Sequence, residues 1–220
     1  MTATQTTGLP TIAPYPMPSA TDLPGNRVSW TPCRSRAVLL VHDMQNYFLR
    51  AFTTDASPVV ELIDHIGRLT AACRRLGIPV VYSAQPGGQN PQQRGLQLDM
   101  WGRGISEDPH DAAIVAPIAP RPGDTLLTKW RYTAFHRTGL HELLTAAGRD
   151  QLIVTGIYAH IGCLMTATDA FMRDIQPFVV ADAVADFSRA DHDMALRYAA
   201  GRAAVVTTTD TMLSTMEGTP

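Results

Sequence analysis

The chain has 220 residues, 45% hydrophobic and 17% charged, with a formal net charge of −2, which suits one domain with a substantial core and gives no electrostatic reason to expect nucleic acid or an anionic membrane as partner. Three cysteines at wide spacings, Cys33, Cys73 and Cys163, speak against a disulfide framework and against a cysteine-based zinc site. The opening MTATQTTGLPTIAPYP has no basic region followed by an apolar core, and no apolar run approaches the ~18 residues of a membrane helix, so the expectation is a cytoplasmic protein acting on a small molecule.

Residues 1–32 are rich in Pro, Thr and Ser without periodicity and read as an irregular arm, lying on the surface or packing on a neighbouring subunit. Residues 33–220 read as a single domain. From Arg36 the pattern alternates: strand 37–42, helix 58–76, strand 78–84, then a long polar connection 85–111. It continues with strand 125–129, helix 139–147, strand 151–157, helix 162–173, strand 178–182, helix 190–201 and strand 203–207. Apolar strands alternating with amphipathic helices predict a three-layer α/β fold, a mostly parallel six-stranded sheet with helices on both faces. Ligands of such sheets bind at the carboxyl ends of the strands.

Two ionisable residues fall at that edge. Asp43 follows the first strand in AVLLVHDMQNYF, where partial desolvation raises a carboxyl pKa toward the range of a proton donor. Taken alone, Asp43 reads more simply as a helix cap. Lys129 ends the strand TLLTK and reaches the same edge, where a carboxylate and an ammonium would fix each other's ionisation and orient a substrate. The connection 85–111 exceeds the ~12–15 residues usual for a structureless loop, and it carries Gln85, Arg94, Trp101 and Arg103, suited to closing over an anion. Tyr47, Phe48, Tyr132, Phe135 and Tyr158 lie near the strand ends and would wall an apolar ring, packing being the simpler role for Phe48 and Phe135.

Histidines and cysteines give weaker signals. His42 precedes Asp43 and should face the other side of the strand as a structural histidine. His160 sits in the turn GIYAHIGC, where it would touch substrate or orient the loop. Cys163 stands near a helix N-terminus, a position that lowers a thiol pKa. No His and carboxylate cluster has metal spacing and no Walker A or dinucleotide fingerprint follows the first strand, so neither metal nor cofactor is expected.

The blocks VHDMQNYF, KWRYTAF and GIYAHIGCLMTATDAFMRDIQPFVVADAVADFS resemble the isochorismatase branch of the isochorismatase-like, or cysteine hydrolase, superfamily, and the likeness runs over nearly the whole chain. In amide-cleaving members, such as nicotinamidases, an Asp, a Lys and a Cys form the catalytic triad. Aligning the turn on its terminal TATDA puts their nucleophile at Gly162, with Cys163 one position later and turned by about 100° on a helix. The resemblance therefore implies a site without a nucleophile, with Gly162 leaving open space for substrate.

What the resemblance implies is hydrolysis of a vinyl ether. Asp43, protonated when substrate is bound through a pKa that the substrate carboxylates raise and the Lys129 charge opposes, would protonate the enolpyruvyl methylene of isochorismate, and water would complete the cleavage to 2,3-dihydro-2,3-dihydroxybenzoate and pyruvate in siderophore or aryl-metabolite synthesis. Lys129 would hold the enolpyruvyl carboxylate, and the family's substrate contacts carry over onto Gln85, Arg94, Trp101, Tyr132, Tyr158 and Gly162, with a cis peptide at Ile157–Tyr158. The alternative substrate is 2-amino-2-deoxyisochorismate of phenazine-type pathways, and the more distant one is an amide cleaved through Cys163. The expected assembly is a homodimer or higher homo-oligomer, and since some members continue into a carrier domain, the sequence ending at Pro220 is read as the stand-alone form.

Overall fold

In the computed structural model, which describes residues 8–218, one sheet holds β1 (Ala37–His42), β2 (Val80–Ala84), β3 (Thr125–Thr128), β4 (Gln151–Ile157), β5 (Gln176–Ala185) and β6 (Val205–Thr207). All pairings are parallel, in the order β3-β2-β1-β4-β5-β6. The central strands β1 and β4 are buried along their whole length, which is why their sequences run apolar without alternation. Successive residues of β1 feed two cores: Leu39 and Val41 face one layer, Val38 and Leu40 the other.

The helices are α1 (Asn46–Leu49), α2 (Val59–Arg75), α3 (Pro91–Arg94), α4 (Gln97–Trp101), α5 (Pro109–Ala112), α6 (Leu140–Ala146), α7 (Leu164–Met172), α8 (Arg189–Arg202) and α9 (Thr209–Gly218). On α2 the buried Leu62, Ile66, Leu69 and Cys73 recur every three or four residues and cover the Leu39 side together with Met212 and Met216 of α9. Helices α6, α7 and α8 cover the opposite face through Leu140, Leu144, Ala167, Ala170, Leu196 and Ala199. Among the described residues no helix is long and apolar enough to cross a membrane.

Several boundaries differ from the sequence expectation. The connection 85–111 contains α3, α4 and α5 rather than irregular chain, because Asn90 caps α3 in a reciprocal box with Gln93 and Asp108 caps α5. Strand β5 runs past Asp182, where the expected strand stopped at a polar residue; Asp182 is instead satisfied inside the fold by the backbone N–H and hydroxyl of Thr209. Helix α7 is preceded by a π-helical turn, Ala159–Cys163, and α9 was not anticipated.

The described part of the arm packs on its own chain. Ile12 is buried and donates its N–H to Ala51, Tyr15 is buried against Asp186 and His192, and the Asn26 amide brackets Val206. Residues 1–7 of the expected arm, and 219–220 of the expected domain, lie outside the described residues.

From β1 the chain moves outward to β2 and β3, then returns to the other side of β1 as β4. Such a reversal opens a crevice at the carboxyl ends of the two central strands. The residues after β1, β2, β3 and β4 meet there.

Candidate active site

Asp43 leaves β1 with φ of 48°, a left-handed conformation that Asp tolerates better than most residues. The carboxylate takes three donors: Ser83 Oγ at 2.7 Å, Lys129 Nζ at 2.8 Å and Gln85 Nε2 at 3.2 Å. These come from the ends of β2 and β3, so three neighbouring strands converge on one acid. Asp43 is 4% exposed and Lys129 1%. The helix-capping role is not realised, since Gln45 occupies the position before α1.

The expected elevation of the Asp43 pKa is not found in the free site. Burial pushes the carboxyl up, but the adjacent Lys129 ammonium, with the hydrogen-bond donors, outweighs it and holds Asp43 below its ordinary value. The Asp43 carboxyl is therefore ionised in the free site.

Gln85 links the pair outward. Its side-chain oxygen accepts from Arg94 Nη1 at 3.1 Å while its nitrogen donates to Asp43. Arg94 is buried, donates also to the Gly102 carbonyl, and faces no carboxylate among the described residues. A buried guanidinium without an anion is a ready binding point for one. Gln45, which the sequence reading passed over, braces Gln85 by bonding its backbone N–H and carbonyl at 2.8 Å each.

These groups open into a tight recess with a free volume of about 50 Å³. Asp43, Lys129, Gln85, Arg94, Trp101, Tyr132, Tyr158, Gly162, Tyr47 and Phe48 all line it, so the structure brings these ten candidates from the sequence together. Trp101 Nε1 donates to the Tyr132 hydroxyl at 2.8 Å, and the Tyr158 hydroxyl is spent on the Phe48 carbonyl, leaving its ring as wall. Two other candidates fall outside: Arg103 is exposed, and Phe135 packs in the opposite core beneath Arg173. Leu9, His42, Gln97, Ile161 and Phe187 line the recess and were missed as site residues. Trp101 and Tyr158 both pack on Phe187, which no local sequence signal relates to β4.

The turn after β4 departs from expectation in its packing. His42 is buried, with Nδ1 2.9 Å from the Ile157 carbonyl and Nε2 3.2 Å from that of Tyr132. Burial lowers the His42 pKa, and each of its ring nitrogens faces a backbone carbonyl. Its ring covers Gly162, where an added Cβ would stand 2.1 Å from His42 Cε1. The space at Gly162 is thus filled by imidazole, contrary to the open space expected. Gly156 is required for another reason: its φ is 105°, and a Cβ would meet the His42 carbonyl at 2.2 Å. The Ile157–Tyr158 peptide is cis, as the resemblance implied.

The Isochorismatase domain family matches residues 37–211, spanning all six strands and all of the recess lining except Leu9. The chain belongs to the isochorismatase family. It is 57% identical over 212 residues to an isochorismatase from Bacillus subtilis (strain 168), covering 96% of this chain and 68% of the relative. To the phenazine biosynthesis protein PhzD of Pseudomonas fluorescens it is 50% identical over 204 residues, covering 93% and 98% respectively. A solved cysteine hydrolase from Pseudomonas syringae pv. phaseolicola 1448A superposes with a TM-score of 0.79 at 24% identity, covering 88% of this chain and 97% of that one, which establishes the shared fold.

Within this isochorismatase-family frame Cys163 has no access to the recess. It is fully buried at the end of the π-helical turn, its Sγ 3.9 Å from the Thr155 carbonyl, and burial pushes its thiol well above the ordinary value. The lowering expected from a helix N-terminus is overruled by desolvation. His160 stands off the recess and orients the loop: its backbone N–H and its Nδ1 both lie 2.6 Å from the Asp186 carboxylate.

Proposed function

We propose that this hydrolase cleaves the enolpyruvyl vinyl ether of isochorismate, giving 2,3-dihydro-2,3-dihydroxybenzoate and pyruvate. The observation that carries the reading is a buried Asp43 and Lys129 pair at 2.8 Å in a recess whose nucleophile position is a glycine sealed by His42. An acid with an ordered cation but no attacking thiol suits a reaction begun by proton transfer to carbon. A protonated Asp43 gives its proton to the methylene carbon, the resulting oxocarbenium ion takes up water, and the hemiketal collapses with return of one proton to the site. The products together equal substrate plus water.

Lys129 and Arg94 supply the positive charge for a dianionic substrate. As the enolpyruvyl carboxylate takes up the Lys129 ammonium, Asp43 loses its counter-ion and gains an anionic neighbour, and both changes raise its pKa. Proton uptake then accompanies binding. The aromatic wall excludes water around the ring. The match to PhzD over nearly its full length supports 2-amino-2-deoxyisochorismate as a second substrate for the same acid chemistry.

Pyruvate release from the two substrates, measured in parallel, tests the reading. Asp43→Asn should lower the rate by ~10²–10⁴-fold, the usual contribution of a positioned general acid. Turnover of neither substrate by the unmodified protein would overturn it.

A further inference from the structure

One buried acceptor of the recess has no partner among the described residues. Gln97, the first residue of α4, is 6% exposed and lines the recess, yet its Oε1 is buried with no hydrogen-bond partner among the described residues. Gln97 and Trp101 stand four residues apart on α4 and so share one face of the helix; the face that delivers the indole to Tyr132 also delivers this amide. Leu96 and Met100, on the outer side, are largely exposed. The remaining polar groups are matched or offer donors: Asp43 already takes three donors, Gln85 is spent between Arg94 and Asp43, and Arg94 and Lys129 offer charge to carboxylates. An acceptor left unpaired in a buried wall is costly and marks a place for a ligand donor.

We infer that Gln97 reads the substituent at C2 of the substrate ring, and so sets the preference between a hydroxyl and an amino substrate. The inference rests on the function proposed above. Isochorismate presents acceptors in its two carboxylates and its ether oxygen, and a single donor, the C2 hydroxyl. Its amino analogue presents an ammonium on the same carbon. The one group able to satisfy the Gln97 oxygen is therefore the group in which the two substrates differ. A neutral amide accepts from either, whereas a carboxylate at this position would favour the ammonium.

The test compares kcat/KM for isochorismate and 2-amino-2-deoxyisochorismate in the unmodified protein, Gln97→Glu and Gln97→Met. Gln97→Glu should shift the amino-to-hydroxy ratio at least tenfold toward the amino substrate; the ratio does not depend on how much of the variant is folded. Gln97→Met should lower kcat/KM for both by roughly 10–100-fold, because the C2 donor is then buried without an acceptor, with a thermal midpoint near that of the unmodified protein. An unchanged ratio in Gln97→Glu, or full activity in Gln97→Met, overturns the inference while the function stands. Failure of the unmodified protein to release pyruvate from either substrate overturns the function, and this inference with it.

Discussion

At Asp43 two opposed effects meet. Its burial favours the neutral acid, and the Lys129 ammonium favours the anion and prevails in the free site. If substrate supplies the missing negative charge, kcat/KM should fall about tenfold for each pH unit across the neutral range, while kcat, governed by the complex, holds level to higher pH. Rate profiles in both parameters check this; a flat kcat/KM would mean that Asp43 is not the acid. Gly162 gives a steric prediction. In Gly162→Ala the new Cβ meets an imidazole held between two carbonyls, an overpacking that costs ~1–3 kcal/mol, visible as a lowered unfolding midpoint with reduced turnover.

The elements that matter most are the turns after β4 and β5, which are tied together. Asp186 binds the backbone and ring of His160 and the N–H of Phe187, and Phe187 closes against Tyr158 and Trp101. Burial alone would lower the His160 pKa, but the Asp186 carboxylate outweighs it and raises the pKa above its ordinary 6.5. Its stabilising contribution is therefore full below pH 6.5 and lost as pH rises through the elevated value. The thermal-midpoint gap between the unmodified protein and His160→Gln should be about 2–4 °C near pH 6, as expected of ~1 kcal/mol in a chain of this size, and close on the alkaline side. A gap independent of pH would show that the ion pair contributes nothing.

At the scale of the whole molecule, the described part of the arm and the recess are one structure. Leu9 lines the recess, and the Tyr15 hydroxyl, from the same arm, accepts the Asp186 backbone N–H at 2.7 Å, 171 residues away along the chain. Tyr15→Phe leaves that buried N–H without an acceptor, at a cost of ~1–3 kcal/mol. The urea midpoint should fall accordingly, and KM should rise because Phe187 follows Asp186; unaltered KM would separate the arm from the site.

The alternation of apolar strands with amphipathic helices sufficed for the layered parallel sheet, because burial on both faces leaves its mark in local periodicity. Asp43 and Lys129 were legible for the same reason, each being a charge at the end of an apolar strand. The connection 85–111 was legible as reaching the recess but not as helical, since its helices are a turn or so long and two of them start on side-chain caps. Phe187, Gln97 and the packing of His42 on Gly162 were not legible, because each depends on segments far apart in sequence meeting at one edge. The protonation of Asp43 was decided by tertiary structure alone: sequence places an acid on a buried edge, but only the 2.8 Å approach of a lysine from two strands away determines which of two opposed effects wins.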